Sequence, residues 1–197
     1  LSSSSAASDV YKRQILRHRD STGLRDYWSY VPGGNNPDEG HREYSQLMSS
    51  SLALISDHIL ETYPLGDYRT LIDVAGGTGH FARMVKKRYP DIDATVLDLP
   101  EVVSEAKRQF PQSNIRFAAT DMFRSPLPQD TELFSLVRVL HDHDDEPTLS
   151  LLTRLHAALK PGGHLLIAEP MVGTPGAEPL RATDVSCNLW AMGTGRP

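Results

Sequence analysis

From residue 71 onward the chain alternates between two hydrophobic patterns. Short apolar strings run at Leu71–Ala75 (broken only by Asp73), Ala94–Leu97, Ile115–Ala118, Leu133–Leu140 and Leu165–Ala168. Between them apolar residues recur every three or four positions: Phe81, Met84, Val85 and Tyr89; Val102, Val103, Ala106 and Phe110; Leu149, Leu152, Leu155 and Leu159. The strings read as buried strands and the spaced stretches as amphipathic helices. Strands that alternate with helices of this length predict βαβ units, hence an α/β fold with a parallel sheet and helices on both faces. The last of these helices is expected to stop at Pro161-Gly162-Gly163. Upstream, Tyr44, Met48, Leu52, Ile55, Ile59 and Tyr63 mark one face of a helix over Glu43–Tyr63, ended by Pro64 and Gly66.

The first 14 residues have no such pattern. They are rich in Ser and Ala, lack an initiator Met and lack the apolar middle of a signal peptide, so they read as a non-native, adapter-derived tail. Residues 15–66 read as a helical linker with a loop at Pro32–Pro37. Residues 67–197 read as the α/β domain, and the chain stops at Pro197 just after an apolar stretch, with no closing element. The chain is therefore expected to be part of a longer protein.

Composition narrows the classes. A net charge of −5 lacks the basic footprint of a nucleic-acid binder. The lone Cys187 excludes an internal disulfide framework and fits a reducing, cytoplasmic compartment. No apolar run reaches the ~20 residues that cross a bilayer. Transient contact with a membrane surface stays open.

Ligands of open parallel sheets bind at the carboxyl ends of the strands, and the unusual polar groups cluster there. Asp73-Val-Ala-Gly-Gly-Thr-Gly79 follows the first strand, and its glycines let backbone approach a ligand closely. A plain tight turn is the structural alternative. Asp98, nineteen positions after Gly79 at the next strand's end, could accept both hydroxyls of a ribose. The spacing is not the Gly-x-Gly-x-x-Gly of dinucleotide binding; a tighter turn suits a nucleoside without phosphates, such as S-adenosylmethionine. After the third strand, Asp121 and Met122 could hold an adenine, or could be a helix cap and a core methionine. After the fourth come two His and three Asp in the five residues from His141 to Asp145. A metal site is possible in principle, but neighbouring residues point in different directions and no second cluster supports it. His141, expected as the first residue beyond a buried strand, can take a proton from a substrate hydroxyl. Glu169, ending the fifth strand, could support the resulting imidazolium or simply form a salt bridge.

Taken together, Leu71 to Gly79, Val96 to Pro100, Asp121-Met-Phe123, His141 to Glu146 and Pro161 to Glu169 resemble, in order and spacing, class I S-adenosylmethionine-dependent O-methyltransferases of the plant caffeic acid and isoflavone branch. Within it, His141 to Asp145, Ala168 to Pro179 and Met192 to Pro197 are similar to bacterial carotenoid O-methyltransferases of the hydroxyneurosporene type. The resemblance implies a Rossmann-like methyltransferase sheet. It implies that Gly76, Gly77 and Gly79 wrap the methionine part of the cofactor, in the motif opened by Asp73. Asp98, followed by Leu99, would hold the ribose, and Asp121 with Met122 the adenine. His141 takes the position of the catalytic base and Glu169 that of a flanking acid. Met48 matches a position that contacts the acceptor, and no metal is implied. The chain departs from the plant branch at His143, where that branch has Trp, and at Val137, where it has Lys; a second flanking acid would fall near Pro197.

The implied activity is methyl transfer from S-adenosylmethionine to a hydroxyl of a hydrophobic small molecule, a hydroxylated carotenoid above all. A phenolic acceptor is the alternative. The resemblance also implies that residues 15–66 are the remnant of an amino-terminal dimerisation region, that residues 67–197 are a methyltransferase catalytic domain lacking its C-terminal strands, and that the full-length protein is a homodimer. Two further readings, a nicotinamide-dependent oxidoreductase and a non-enzymatic cofactor-sensing scaffold, are opposed respectively by the absent wide glycine loop and by His141 and Glu169 on the expected rim.

Overall fold

The computed structural model describes residues 52–169. The sheet unit takes in residues 52–140 and 145–169, whereas His141–Asp144 group with a separate unit. Residues 1–51 and 170–197, and with them Met48, Cys187 and the expected tail, lie outside the described residues.

In chain order the elements are helix α1 (residues 52–62), β1 (Thr70–Val74), α2 (His80–Arg88), β2 (Asp93–Asp98), α3 (Pro100–Gln109), β3 (Arg116–Ala119), β4 (Thr131–Val137), a 3-10 turn (Leu140–Asp142), α4 (Asp145–Ala158) and β5 (Leu159–Ala168). The five strands pair in the order β3-β2-β1-β4-β5, all parallel. The expected α/β sheet is present. Chain order reverses direction between β1 and β4, so the sheet's topological switch point lies between these two strands.

Alternation along the strands sorts side chains to two faces. Leu71, Ala94, Val96 and Leu133 pack with Ile59 and Leu60 of α1 and with Phe81, Ala82 and Val85 of α2. Ile72, Val74, Leu97, Phe134 and Leu136 pack with Leu151, Leu155 and Ala158 of α4. Helices therefore cover both faces, as parallel strands require. α3 begins at Pro100, with Val103 and Ala106 buried; proline suits a first helical turn because that amide has no partner in the helix.

Several boundaries differ from the expectation. Tyr63 is not on α1's buried face; it is 36% exposed and its hydroxyl lies 2.9 Å from that of Tyr68. β1 ends at Val74, because Ala75 has φ 53 and cannot continue a strand. β4 ends at Val137 rather than Leu140, because Arg138 has φ 58, so His141 lies four residues beyond the strand. α4 ends at Ala158: Leu159 opens β5, and Pro161-Gly162-Gly163 forms an irregularity within that strand, between the pairings of Thr131 with Leu159 and Leu133 with His164. Leu149, placed on the core face by its spacing, is 67% exposed, while Leu151 is buried.

Candidate active site

Parallel pairing brings the carboxyl ends of all five strands to one edge of the sheet. At the end of β1, the Ala75 amide donates to Leu97 O of β2 (2.8 Å), and the chain turns through Gly76–Gly79 into α2, closed by Gly79 N to Gly76 O (2.9 Å). At two of these glycines an added side chain would force a neighbour to shift. A Cβ at Gly76 would sit 2.4 Å from Asp73 Oδ2, and one at Gly79 (φ 81) 2.7 Å from Ile115 Cδ1. α2 starts at Gly79 without a side-chain cap, so its first amides are not satisfied by a capping side chain.

Asp98, the last residue of β2, reaches across to this turn. Its Oδ2 accepts the Gly77 amide and its Oδ1 the Leu99 amide, each at 2.7 Å. Burial raises its pKa above the usual carboxylate range, and these two amides pull it back. A carboxylate has about four lone-pair sites, so acceptor capacity remains for further donors. Leu99 itself is the residue preceding α3, in extended conformation.

Asp73 lies beneath the same turn and is 1% exposed. Ser135, its register partner on β4, donates to Oδ1 at 2.6 Å. Oδ2 is buried without a hydrogen-bond partner among the described residues. Burial pushes the carboxyl up to about 7; the Ser135 hydroxyl opposes this and the nearby Asp98 adds to it. The turn thus stands over a buried carboxyl group with one unused oxygen, an arrangement suited to a cation or hydrogen-bond donor.

After β3, Asp121 Oδ1 accepts the amides of Phe123 (2.9 Å) and Arg124 (3.2 Å). That is the capping alternative raised by the sequence, and Oδ2 lies 3.9 Å from Arg124 Nε. Met122 is partly buried against the core face that carries Phe134.

After β4, the Arg138 amide donates to Ala168 O of β5 at 2.9 Å. Glu169 Oε1 then accepts the amides of both Val139 and Leu140, each at 2.7 Å. The 3-10 turn at Leu140–Asp142 contains His141, whose Nε2 lies 3.3 Å from Asp142 Oδ1.

A family profile described as O-methyltransferase domain matches residues 17–197. The chain belongs to this O-methyltransferase family. It is 44% identical over 177 residues to demethylspheroidene O-methyltransferase of Rhodobacter capsulatus, covering 88% of this chain and 44% of that one. It is 35% identical over 157 residues to acetylserotonin O-methyltransferase of Mus musculus, covering 76% of this chain and 40% of that one. Among solved structures, human N-acetylserotonin methyltransferase in complex with SAM superposes with a TM-score of 0.76 at 28% identity, covering 96% of this chain and 56% of that one. The chain thus spans about half the length, or less, of the curated relatives it matches.

Within this O-methyltransferase-family sheet, Asp73, Gly76, Gly77, Gly79, Asp98, Leu99, Asp121, Met122 and Glu169 all lie in the one unit, at or just beneath its carboxyl edge. Two residues not singled out by sequence reasoning also shape the edge. Ser135 is the hydroxyl that engages Asp73; its signal was a lone polar residue inside the apolar string of β4. Arg83 donates to Thr78 O within the glycine turn and lies over the Phe110 ring, 3.7 Å from its centroid. An arginine four positions into a glycine-opened helix was the available clue. Among the described residues no helix is long and apolar enough to cross a membrane, and no group of three or more His, Cys, Asp or Glu could hold a metal ion.

Proposed function

We propose that the intact protein is an S-adenosylmethionine-dependent O-methyltransferase acting on a hydroxyl of a hydrophobic acceptor, a hydroxylated carotenoid of the hydroxyneurosporene type. The observation that carries the acceptor class is the 44% identity to a demethylspheroidene O-methyltransferase. The cofactor reading is supported by the glycine-rich turn over a buried carboxyl whose Oδ2 has no hydrogen-bond partner among the described residues, and by an Asp at the end of the next strand. Gly76, Gly77 and Gly79 would pass around the methionine part above Asp73. Asp98 and the Leu99 segment would take the ribose, and Asp121 with Met122 the adenine. Bound there, S-adenosylmethionine supplies a methyl group on a sulfonium, already reactive toward oxygen.

The protein's own part is then to align, to exclude water and to move one proton. Alignment of two reactants contributes on the order of 7–11 kcal/mol of barrier reduction. His141 removes the acceptor proton, an effect of roughly 10²–10⁴-fold. For a tertiary alcohol, a weak acid, removal is concerted with carbon–oxygen bond formation. Met48 contacts the acceptor. In this reading residues 15–66 join the catalytic domain at 67–197 to a dimerisation region, the protein works as a cytoplasmic homodimer, and an apolar acceptor is taken up in transient contact with a membrane surface.

A second reading, a phenolic acceptor, is favoured by the likeness to acetylserotonin O-methyltransferase. The test offers the intact protein methyl-labelled S-adenosylmethionine with either a hydroxylated carotenoid in detergent or N-acetylserotonin. Label in the carotenoid is expected. Label in the phenol alone selects the second reading, and no binding of the labelled donor overturns both.

A further inference from the structure

The exit of β4 repeats, with different residues, the arrangement at the exit of β1. In each case the first residue beyond the strand is a non-glycine residue in the left-handed region, Ala75 (φ 53) or Arg138 (φ 58). Each gives its amide to a carbonyl on the outer neighbouring strand, Ala75 to Leu97 and Arg138 to Ala168. In each case the residue after that carbonyl is an acid, and its carboxylate caps the next amides: Asp98 takes Gly77, and Glu169 takes Val139 and Leu140. Beyond the last pairing among the described residues, Val137 with Ala168, the two amides are taken by the Glu169 side chain instead of a strand carbonyl.

We propose that Glu169 is a positioning residue: one carboxylate oxygen, accepting the amides of Val139 and Leu140, holds the left-handed turn at Arg138 and fixes the backbone that runs directly into His141. The task needs an acceptor oxygen of the right reach. It does not need a negative charge, so the amide oxygen of glutamine can perform it. The kinetic part of this inference rests on the methyl-transfer reading above, and the structural part does not.

The test uses Glu169→Gln and Glu169→Ala in the intact protein, with two readouts. In hydrogen exchange, the protection of the Val139 and Leu140 amides is retained in Glu169→Gln and falls at least about tenfold in Glu169→Ala. This holds whatever reaction the protein catalyses, and equal protection in all three proteins overturns the proposal. In turnover, Glu169→Ala loses at least about thirtyfold in kcat with donor affinity little changed, and Glu169→Gln recovers most of that loss with the acid limb of its pH profile in place. Were the role instead to stabilise an imidazolium by charge, Glu169→Gln would lose as much as the alanine variant, or its acid limb would move down by about one unit; either result overturns the proposal. A wild-type protein that transfers no methyl group sinks the functional reading alone and leaves the exchange result to decide on Glu169. If Glu169→Ala does not fold, the glutamine variant still decides.

Discussion

At the end of β1, Ala75 turns left-handed under the carboxylate of Asp98; at the end of β4, Arg138 turns left-handed under the carboxylate of Glu169. The backbone device is shared, but the residues downstream of it differ. Past Ala75 come Gly76 and Gly79, where an added carbon would strike Asp73 or Ile115, and Gly77, whose φ of 59 disfavours a side chain. Past Arg138 come Val139, Leu140 and His141, residues with large side chains. One exit clears space by removing side chains; the other carries them, with Val139 buried in the core and Leu140 packed against it. The two flank the switch point, where an open sheet has its natural crevice. A strand end held rigidly by its neighbour's acid can thus become either a cradle or a platform, depending on the next three residues.

The most severe test crosses the two exits. His141→Ala in the intact protein is expected to cut turnover at least about a hundredfold while calorimetry shows donor binding unchanged. Gly76→Ala is expected to weaken donor binding at least about tenfold and to lower stability by about 1–3 kcal/mol, because its Cβ has no room beside Asp73 Oδ2. If both variants lost binding equally, the division between cradle and platform would collapse.

A smaller effect concerns the acid beneath the cradle. Burial raises Asp73 from 3.8 to about 7. The folded protein then keeps a proton that the unfolded chain has lost, so this contribution to stability is complete below about pH 4, declines as pH climbs toward about 7 and is flat above that. The slope reaches ~1.4 kcal/mol per pH unit at its steepest. Denaturant titrations across this range should show the decline in the wild type and its absence in Asp73→Asn. An unchanged slope would place the titrating group elsewhere.

The smallest effect tests the shared device itself. The left-handed conformation costs a non-glycine residue about 1–2 kcal/mol, and glycine gives back about 0.5–1 kcal/mol through its freer unfolded state. Ala75→Gly should therefore stabilise by under about 1 kcal/mol in thermal melts. Arg138→Gly should match it if only backbone strain matters. A loss at Arg138 with a gain at Ala75 would show that the arginine side chain also contributes at that exit.

The strands and the glycine turn were legible in the sequence because both depend on local signals: uninterrupted apolar strings for burial on two faces, and glycine where a side chain cannot fit. What escaped was set by tertiary contact. Nothing local marks Arg138 as a left-handed residue, since arginine is an ordinary strand or helix former; the conformation is imposed by Ala168 and Glu169 some thirty positions later. The leucines of α4 allow two faces, Leu149-Leu152-Leu155 or Leu151-Leu155-Ala158, and only the sheet chooses the second. The glycine motif marks Asp73 as a candidate for cofactor contact, but its burial and its bond to Ser135 come from the pairing of β1 with β4, separated by 62 positions in the chain. Of the site, the identities of the edge residues and the capping alternative for Asp121 were readable, whereas the hydrogen bonds that already occupy Asp98 and Glu169 were not.

The irregularity in β5 bears on how such a chain tolerates change. It lies at the amino end of the strand, where the step from Thr131 to Leu133 on β4 faces the longer step from Leu159 to His164. Extra residues are looped out there, and from His164 onward the ladder runs in step to Ala168. Insertions or deletions around Lys160–Gly163 can therefore be absorbed at the edge remote from the chemistry. A single-residue slip between His164 and Ala168 would instead swap the inward and outward sides of the strand and carry Glu169 away from the amides it caps.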